Sequence, residues 1–278
     1  MFDFPKQQHK VSAAGAGNAK VDSREPVEDT GGFAGKLYGI WFYLVFISTF
    51  LLLLPLFALF LINPSTYPIA NGLRRAWARM IFLLMGCSWS VEFEEDLDPT
   101  GSYIFVSNHS SNLDIPLSAL ASIGNFRFMA KKEWADIPVF GIFFRTVDMS
   151  VDRSSVTSSY RAFQKATKSL EEGMNLVIYP EGTMWANSPL TERFKNGAFR
   201  LAIDAGVEVV PVTFLDNWRL YPRGGKKGGR PGRIRAVVHA PISTSGLHSE
   251  DASALRDQVR GLIDDTIRRG NSAIIASV

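Results

Sequence analysis

Cysteine occurs once in the 278 residues, as Cys87. No intrachain disulfide can form, which agrees with a reducing compartment, and the surrounding apolar run fits a small buried side chain. Histidine occurs four times, with neither His-Glu-x-x-His nor Cys-x-x-Cys. The common zinc frameworks are therefore excluded, and no metal or cofactor is expected. No Gly-x-Ser-x-Gly is present, so the nucleophile elbow of serine lipases is missing. Charge of one sign is also lacking, since 30 Lys and Arg against 27 Asp and Glu leave only +3. The distribution of charge matters more than that total. No internal repeat is visible. Residues 1–35 have no hydrophobic period and read as a disordered polar tail, and the apolar run that follows starts too late and runs too long for a signal peptide.

That run is the first thing present in quantity. Leu37 to Ile62 is 26 residues without a formal charge, about 39 Å as a helix against roughly 30 Å of hydrocarbon. Pro55 would kink it and Asn63-Pro64 would end it. A second apolar segment, Ala76 to Cys87, is too short to span and carries Arg79. Either Leu37–Ile62 crosses the bilayer with the second segment along the interface, or the two form a hairpin dipping into one leaflet. Residues 36–88 are thus expected to anchor the chain in a membrane. Arg74, Arg75 and Arg79 favour a cytoplasmic catalytic domain, although Lys20, Arg24 and Lys36 on the other flank weaken the bias.

Residues 89–278 alternate short apolar runs with amphipathic segments. Strands are predicted at 90–94 (an edge strand), 103–107, 126–130, 149–153, 175–179, 209–214 and 233–239. Helices are predicted over 155–172 and 191–205, with Gly173 and Gly206 as C-terminal caps, and over 250–269 with Ser249 as N-cap. The fold class is α/β, a mixed, mostly parallel sheet flanked by helices and preceded by membrane helices. Several strands deliver polar residues at their C-terminal ends, where open α/β sheets place their sites.

His109 and Asp114 follow one such end. In a continuous helix their side chains would sit about 140° apart. With His109 in the turn and Asp114 in the first helical turn, imidazole and carboxylate can meet, and His109 becomes a general base. The other reading is a surface turn with Asn112 as an Asx-type cap.

Four stretches in order resemble the glycerolipid acyltransferases of the 1-acyl-glycerol-3-phosphate acyltransferase type. They are Asn108 to Asp114, Lys131-Lys132-Glu133 through Gly141 to Val151-Asp152-Arg153, Tyr179-Pro180-Glu181-Gly182-Thr183, and Val210-Pro211-Val212, and the agreement runs over residues 76–265. The resemblance implies acyl transfer from an acyl-CoA or acyl-ACP thioester to lysophosphatidic acid. It implies the glycerolipid acyltransferase fold, with the membrane and its lipids as partners. Glycerol 3-phosphate or another lysolipid remains as acceptor, and a catalytically weak adaptor keeping the fold is the non-enzymatic alternative. After Pro-Glu-Gly-Thr the family usually carries an arginine that helps hold the acceptor phosphate; here Met184 stands in its place.

A thioester is already activated, so His109 can act directly on the acceptor hydroxyl, with Asp114 orienting it. The rival is a serine nucleophile, but Ser107, Ser110 and Ser111 read as turn and cap residues. For the acceptor phosphate the candidates are Arg153, which alternatively pairs with Asp152, Lys131, Lys132, which alternatively is solvated, and Lys195, which matches a basic position of the family. Arg193 is placed to substitute for the missing arginine. Glu181 holds either the turn or an acceptor hydroxyl, and Gly182 and Thr183 complete the candidate acceptor site, with Gly182 letting the backbone bend close to a ligand. Residues 219–235 hold seven basic residues and no acid. They form either a solvated hairpin or a surface for anionic headgroups, acyl carrier protein or coenzyme A phosphates. Nucleic acid is not expected as a partner, because the cluster lacks a recognisable binding fold.

Overall fold

The computed structural model describes residues 32–137, 139–152, 156–184, 190–222 and 228–272. Most of the polar tail, Arg153, and Arg223, Lys226 and Lys227 of the basic stretch lie outside them. Seven strands form one sheet: β1 (Ser88–Phe93), β2 (Tyr103–Ser107), β3 (Phe126–Lys131), β4 (Met149–Val151), β5 (Asn175–Ile178), β6 (Glu208–Phe214) and β7 (Arg233–Val238), in the order β1-β7-β6-β2-β5-β3-β4. Every pair is parallel except β6 with β7. The mixed, mostly parallel sheet and the edge position of β1 match the sequence reading.

Helices cover both faces. They are α1 (Phe33–Leu61), α2 (Tyr67–Leu84), α3 (Asp114–Ala121), α4 (Ile142–Arg145), α5 (Val156–Glu171), α6 (Gly197–Ala205), α7 (Asn217–Leu220) and α8 (Ala252–Gly270). Side chains alternate along each strand, so the sheet feeds two cores. Tyr103, Phe105, Val177, Val210 and Val212 join the core made with α1, α2 and α3. Ile104, Val106, Leu176, Ile178 and Val209 point the other way, into the core under α5, α6 and α8.

The α1–α2 hairpin is built into this domain. α1 buries Gly39, Phe42, Thr49, Phe50, Phe57 and Leu61, while Leu44, Ile47, Leu51, Leu52 and Leu59 of its other side are exposed. Phe42 meets Tyr221, and Phe50 and Phe57 meet Phe143. α2 extends nine residues before the expected Ala76 and docks through polar groups. Arg74 makes a two-pronged, buried ion pair with Asp148 at 3.0 and 2.6 Å. Arg75 donates to the carbonyls of Ser122 and Gly124. These two arginines are engaged by the domain, so they drop out of the charge-flank reasoning about orientation.

Two helix starts differ from expectation. α6 begins at Gly197 and not at Thr191, because the preceding N–H groups are taken elsewhere: Thr191 donates to Asp264, Glu192 to Glu181 and Lys195 to the Pro180 carbonyl. Ser249 is not the N-cap of the last helix. Its hydroxyl donates to Asp204 at 2.7 Å, and a 3-10 turn over Ser249–Asp251 leads into α8, with His248 N–H donating to Asp251 at 2.8 Å. Gly173 and Gly206 do sit in the left-handed region, at φ +79° and +63°, which glycine adopts without steric cost.

Candidate active site

β2 lies centrally in the sheet, hydrogen-bonded to β5 and β6, and its C-terminal end runs into the turn that carries His109. Asn108 clamps that end to β6, accepting from Phe214 N–H at 2.8 Å and donating to the Phe214 carbonyl at 3.0 Å. Asp114 opens α3. His109 Nδ1 lies 2.9 Å from Asp114 Oδ2, and the Asp114 side chain is fully buried while His109 keeps 13% exposure. The expected meeting across the turn is therefore realised. Asp114 Oδ2 also accepts the Ser110 and Ser111 N–H groups at 2.7 and 2.8 Å, and Oδ1 accepts Asn217 Nδ2 at 2.7 Å. A carboxylate bound by so many donors is held in one orientation. Nδ1 then carries the imidazole proton, and Nε2 keeps its lone pair. The cap role considered for Asn112 belongs instead to Ser111, which accepts from Leu113 N–H at 3.1 Å and donates to the Tyr221 carbonyl at 2.6 Å.

The turn after β5 supports the same imidazole. Tyr179 stacks on His109 with ring centroids 4.0 Å apart and planes 13° apart, and its hydroxyl lies 2.7 Å from Ser118 Oγ. Burial pushes the Tyr179 hydroxyl well above its usual range, so it stays protonated. Gly182 N–H closes on the Tyr179 carbonyl at 3.0 Å around Pro180, with Gly182 at φ +74°, a backbone conformation suited to glycine. Glu181 reaches back to His109, accepting its backbone N–H at 2.8 Å on one oxygen and Glu192 N–H at 3.3 Å on the other. These bonds run to the His109 turn and to Glu192, and not within the Pro180–Thr183 turn that the sequence reading has Glu181 hold. Burial outweighs these N–H bonds and, with the nearby Asp114 charge, lifts the Glu181 carboxyl to about 7.

Other candidates lie further out. Lys132 sits 3.7 Å from Asp152 with its side chain 60% exposed, so Asp152 has a lysine beside it. Thr183 and Met184 follow the Glu181 turn and are half-buried, and Lys195 is exposed just before α6. Arg193 lies within electrostatic reach of Asp257 on α8. In the basic stretch, Arg219 and Arg235 both pair with the buried Asp216, at 2.9 and 2.8 Å. Gly229 N–H donates to the Gly35 carbonyl of α1 at 3.0 Å, so this part is docked and not a free hairpin. Sequence reasoning missed Asn217 altogether and assigned no role to the Tyr179 ring. The only available signal was their place just past strand ends.

An apolar cavity of about 50 Å³ lies behind α3, lined by Phe46, Trp77, Ile81, Ile115, Phe128 and Phe143 among others, with the Arg74–Asp148 pair at its wall. Cavities that hold benzene measure about 150 Å³, so this one admits no acyl chain in the present conformation.

Residues 88–215 match the family model described as Acyltransferase. A 1-acyl-sn-glycerol-3-phosphate acyltransferase of Chlamydomonas reinhardtii is 29% identical over 266 residues, covering 92% of this chain and 79% of the relative. The chloroplastic enzyme of that name from Arabidopsis thaliana is 28% identical, covering 92% and 72%. The alpha form from Mus musculus is 32% identical over 184 residues, covering 64% and 62%. Among solved structures, the 1-acyl-sn-glycerophosphate (LPA) acyltransferase PlsC of Thermotoga maritima superposes with a TM-score of 0.68 at 24% identity, covering 84% of this chain and 94% of that one. That likeness shows the fold.

Proposed function

We propose that this chain, of which residues 88–215 match the acyltransferase family model, is an O-acyltransferase that moves a fatty acyl group from an acyl-CoA or acyl-ACP thioester to the free hydroxyl of 1-acyl-glycerol-3-phosphate. The product is phosphatidic acid. The observation that carries the reading is the His109–Asp114 pair at 2.9 Å, with Nε2 making no hydrogen bond among the described residues. In the reaction, Nε2 takes the acceptor's proton as its oxygen attacks the thioester carbonyl, and Asp114 stabilises the imidazolium. The tetrahedral intermediate collapses, the C–S bond breaks, and the imidazolium returns the proton to the departing thiolate.

A covalent serine intermediate is less favoured. Among the described residues Ser107 Oγ and Ser110 Oγ are buried without partners, Ser111 Oγ is spent on Tyr221, and none hydrogen-bonds the imidazole. The Ser110 and Ser111 N–H groups are already spent on Asp114, which removes them as oxyanion donors. His109→Ala should abolish transfer from both thioesters while membrane binding stays; retained turnover would sink the assignment.

Membrane contact through the hairpin is part of the same reading. One helix, Phe33–Leu61, is long and apolar enough to cross a bilayer, yet it touches the domain from Gly35 to Leu61. No stretch of it is free on all sides, which favours insertion into one leaflet over crossing. A water-soluble thioester donor puts the catalytic face on the cytoplasmic side. Arg153, Lys132 and Lys195 remain the cations proposed for the acceptor phosphate, with Thr183 and Gly182 beside them, and the basic 219–235 stretch for the donor. Met184 favours one second reading, an acceptor without a phosphomonoester, because a thioether cannot replace a bidentate arginine. An acceptor panel separates the two: lysophosphatidic acid turnover supports the first, and activity confined to phosphate-free lysolipids the second.

A further inference from the structure

Outside α1, α2 and the turn between them, four large apolar side chains are exposed among the described residues: Trp134 37%, Ile137 39%, Val139 48% and Tyr160 61%. Three of the four fall within one short loop between β3 and α4. An isolated exposed Leu or Val needs no explanation, but a cluster does. We infer that Trp134, Ile137 and Val139 form a second membrane-seating wedge, which enters the boundary between headgroups and acyl chains beside α1. The inference rests on the reading that α1 itself meets lipid.

Three observations carry it. The first is continuity with the apolar outer side of α1. Trp134 packs edge-on against Phe140 at 6.3 Å, and Phe140 in turn packs against Phe46 and Phe50 of α1 at 6.2 and 5.5 Å. The neighbours of those two residues along the helix, Ile47 and Leu51, are about half exposed. The second is that the described residues on either side of Pro138 are tied down by backbone bonds. Ala135 N–H donates to the Lys132 carbonyl and Gly141 N–H to the Ile137 carbonyl, at 2.8 and 2.9 Å. The chain folds back so closely that a Cβ on Gly141 would collide with the Ala135 carbonyl. Val139 is held at φ +67°, the one residue other than glycine in the left-handed region among those described, a conformation that β-branched residues avoid.

The third is where the loop sits. β2, β5 and β3 run parallel as neighbours, so the segments that follow them leave the sheet at the same edge. His109 follows β2, Tyr179 follows β5, and the wedge follows β3. A loop seated in lipid at that edge turns the catalytic turn toward the bilayer surface. Lys132, 60% exposed at the loop's start, is suited to anionic headgroups, and tryptophan to the interface itself.

The single native cysteine makes the test direct, because Cys87 is buried. Ile137→Cys, and separately Val139→Cys, would be labelled with a polarity-sensitive thiol fluorophore in the full-length protein. Each would be reconstituted into phosphatidylcholine–phosphatidylglycerol vesicles. Leu52→Cys on the exposed side of α1 and Tyr160→Cys on α5 serve as references. Expected are blue-shifted emission and quenching by brominated acyl chains at positions 137, 139 and 52, with position 160 quenched only by aqueous iodide. If 52 lies in lipid while 137 and 139 behave like 160, the wedge is refuted and the α1 reading survives. If 52 also stays in water, both fail together.

Discussion

Asp114→Asn should separate catalysis from stability. The substitution removes one charge and replaces one acceptor by a donor. If the new amide nitrogen took the place of Oδ2, it would face three donors, the Ser110 and Ser111 N–H groups and His109 Nδ1. Turned the other way, it faces only Asn217 Nδ2, now 2.7 Å from Oδ1. Asn217 Oδ1 is buried without a partner among the described residues, so a flip of Asn217 supplies the acceptor. The flip leaves the Asn217 nitrogen where its oxygen now lies unpaired, so the number of unpaired Asn217 atoms is unchanged, and the variant should stay within about 1 kcal/mol of the wild type. Asp114→Ala, by contrast, strands four donors in a fully buried place and should cost at least 3 kcal/mol, at about 1–3 kcal/mol for each buried group left unmade. Activity should behave differently. Without the carboxylate the imidazolium loses its counter-charge, and the comparable change in serine proteases costs about 10⁴ in kcat. Thermal melts and acyl-thioester turnover on the same preparations decide the matter. An Asp114→Asn enzyme keeping more than a tenth of its turnover would refute the role of the charge. One as unstable as Asp114→Ala would refute the amide flip.

Glu181 predicts a pH signature. Burial lifts its carboxyl from about 4.5 to about 7 in the folded chain, so its favourable contribution is present below about pH 4.5 and is lost as pH rises through 7. Relative to Glu181→Gln, the wild type should lose up to about 3 kcal/mol across that window. Denaturation midpoints of the two proteins from pH 4 to 8 check it, and a constant difference would contradict it. Arg74→Leu should cost about 3–5 kcal/mol by leaving the buried Asp148 unpaired. Adding Asp148→Asn should recover much of that, because an Asn oxygen can still accept from Phe128 N–H, now 2.9 Å from Asp148. Additive losses in urea titrations would mean that the two side chains act independently.

Local pattern made much of this molecule legible. Apolar runs such as Ile104–Val106 gave the strands, and glycines 173 and 206 gave two helix ends. The spacing from His109 to Asp114 encodes a contact five residues long, which a turn can close on its own. What stayed hidden depends on atoms far apart in the chain. Glu181 meets His109 across 72 residues and Asn217 meets Asp114 across 103. Neither has a periodic signature, so Glu181 read as either strut or ligand. The same holds for Thr191 to Lys195, whose helix-like sequence is overruled by bonds to Asp264, Glu181 and Pro180. The register of Tyr179 over His109 follows from β2 and β5 lying side by side, which no single segment specifies.

The embedding of α1 also bears on how the protein is made. Its Gly35 and Gly39 carbonyls receive bonds from Gly229 and Tyr221, the latter 182 residues downstream. This helix, which precedes every other described element, therefore finds its last partners only when most of the domain exists. Until then its inward apolar face lacks those partners. Packing of the sheet against this helix closes late, since contacts so distant in sequence form slowly. A fragment starting at residue 88 would leave Phe105, Phe143 and Tyr221 without their cover.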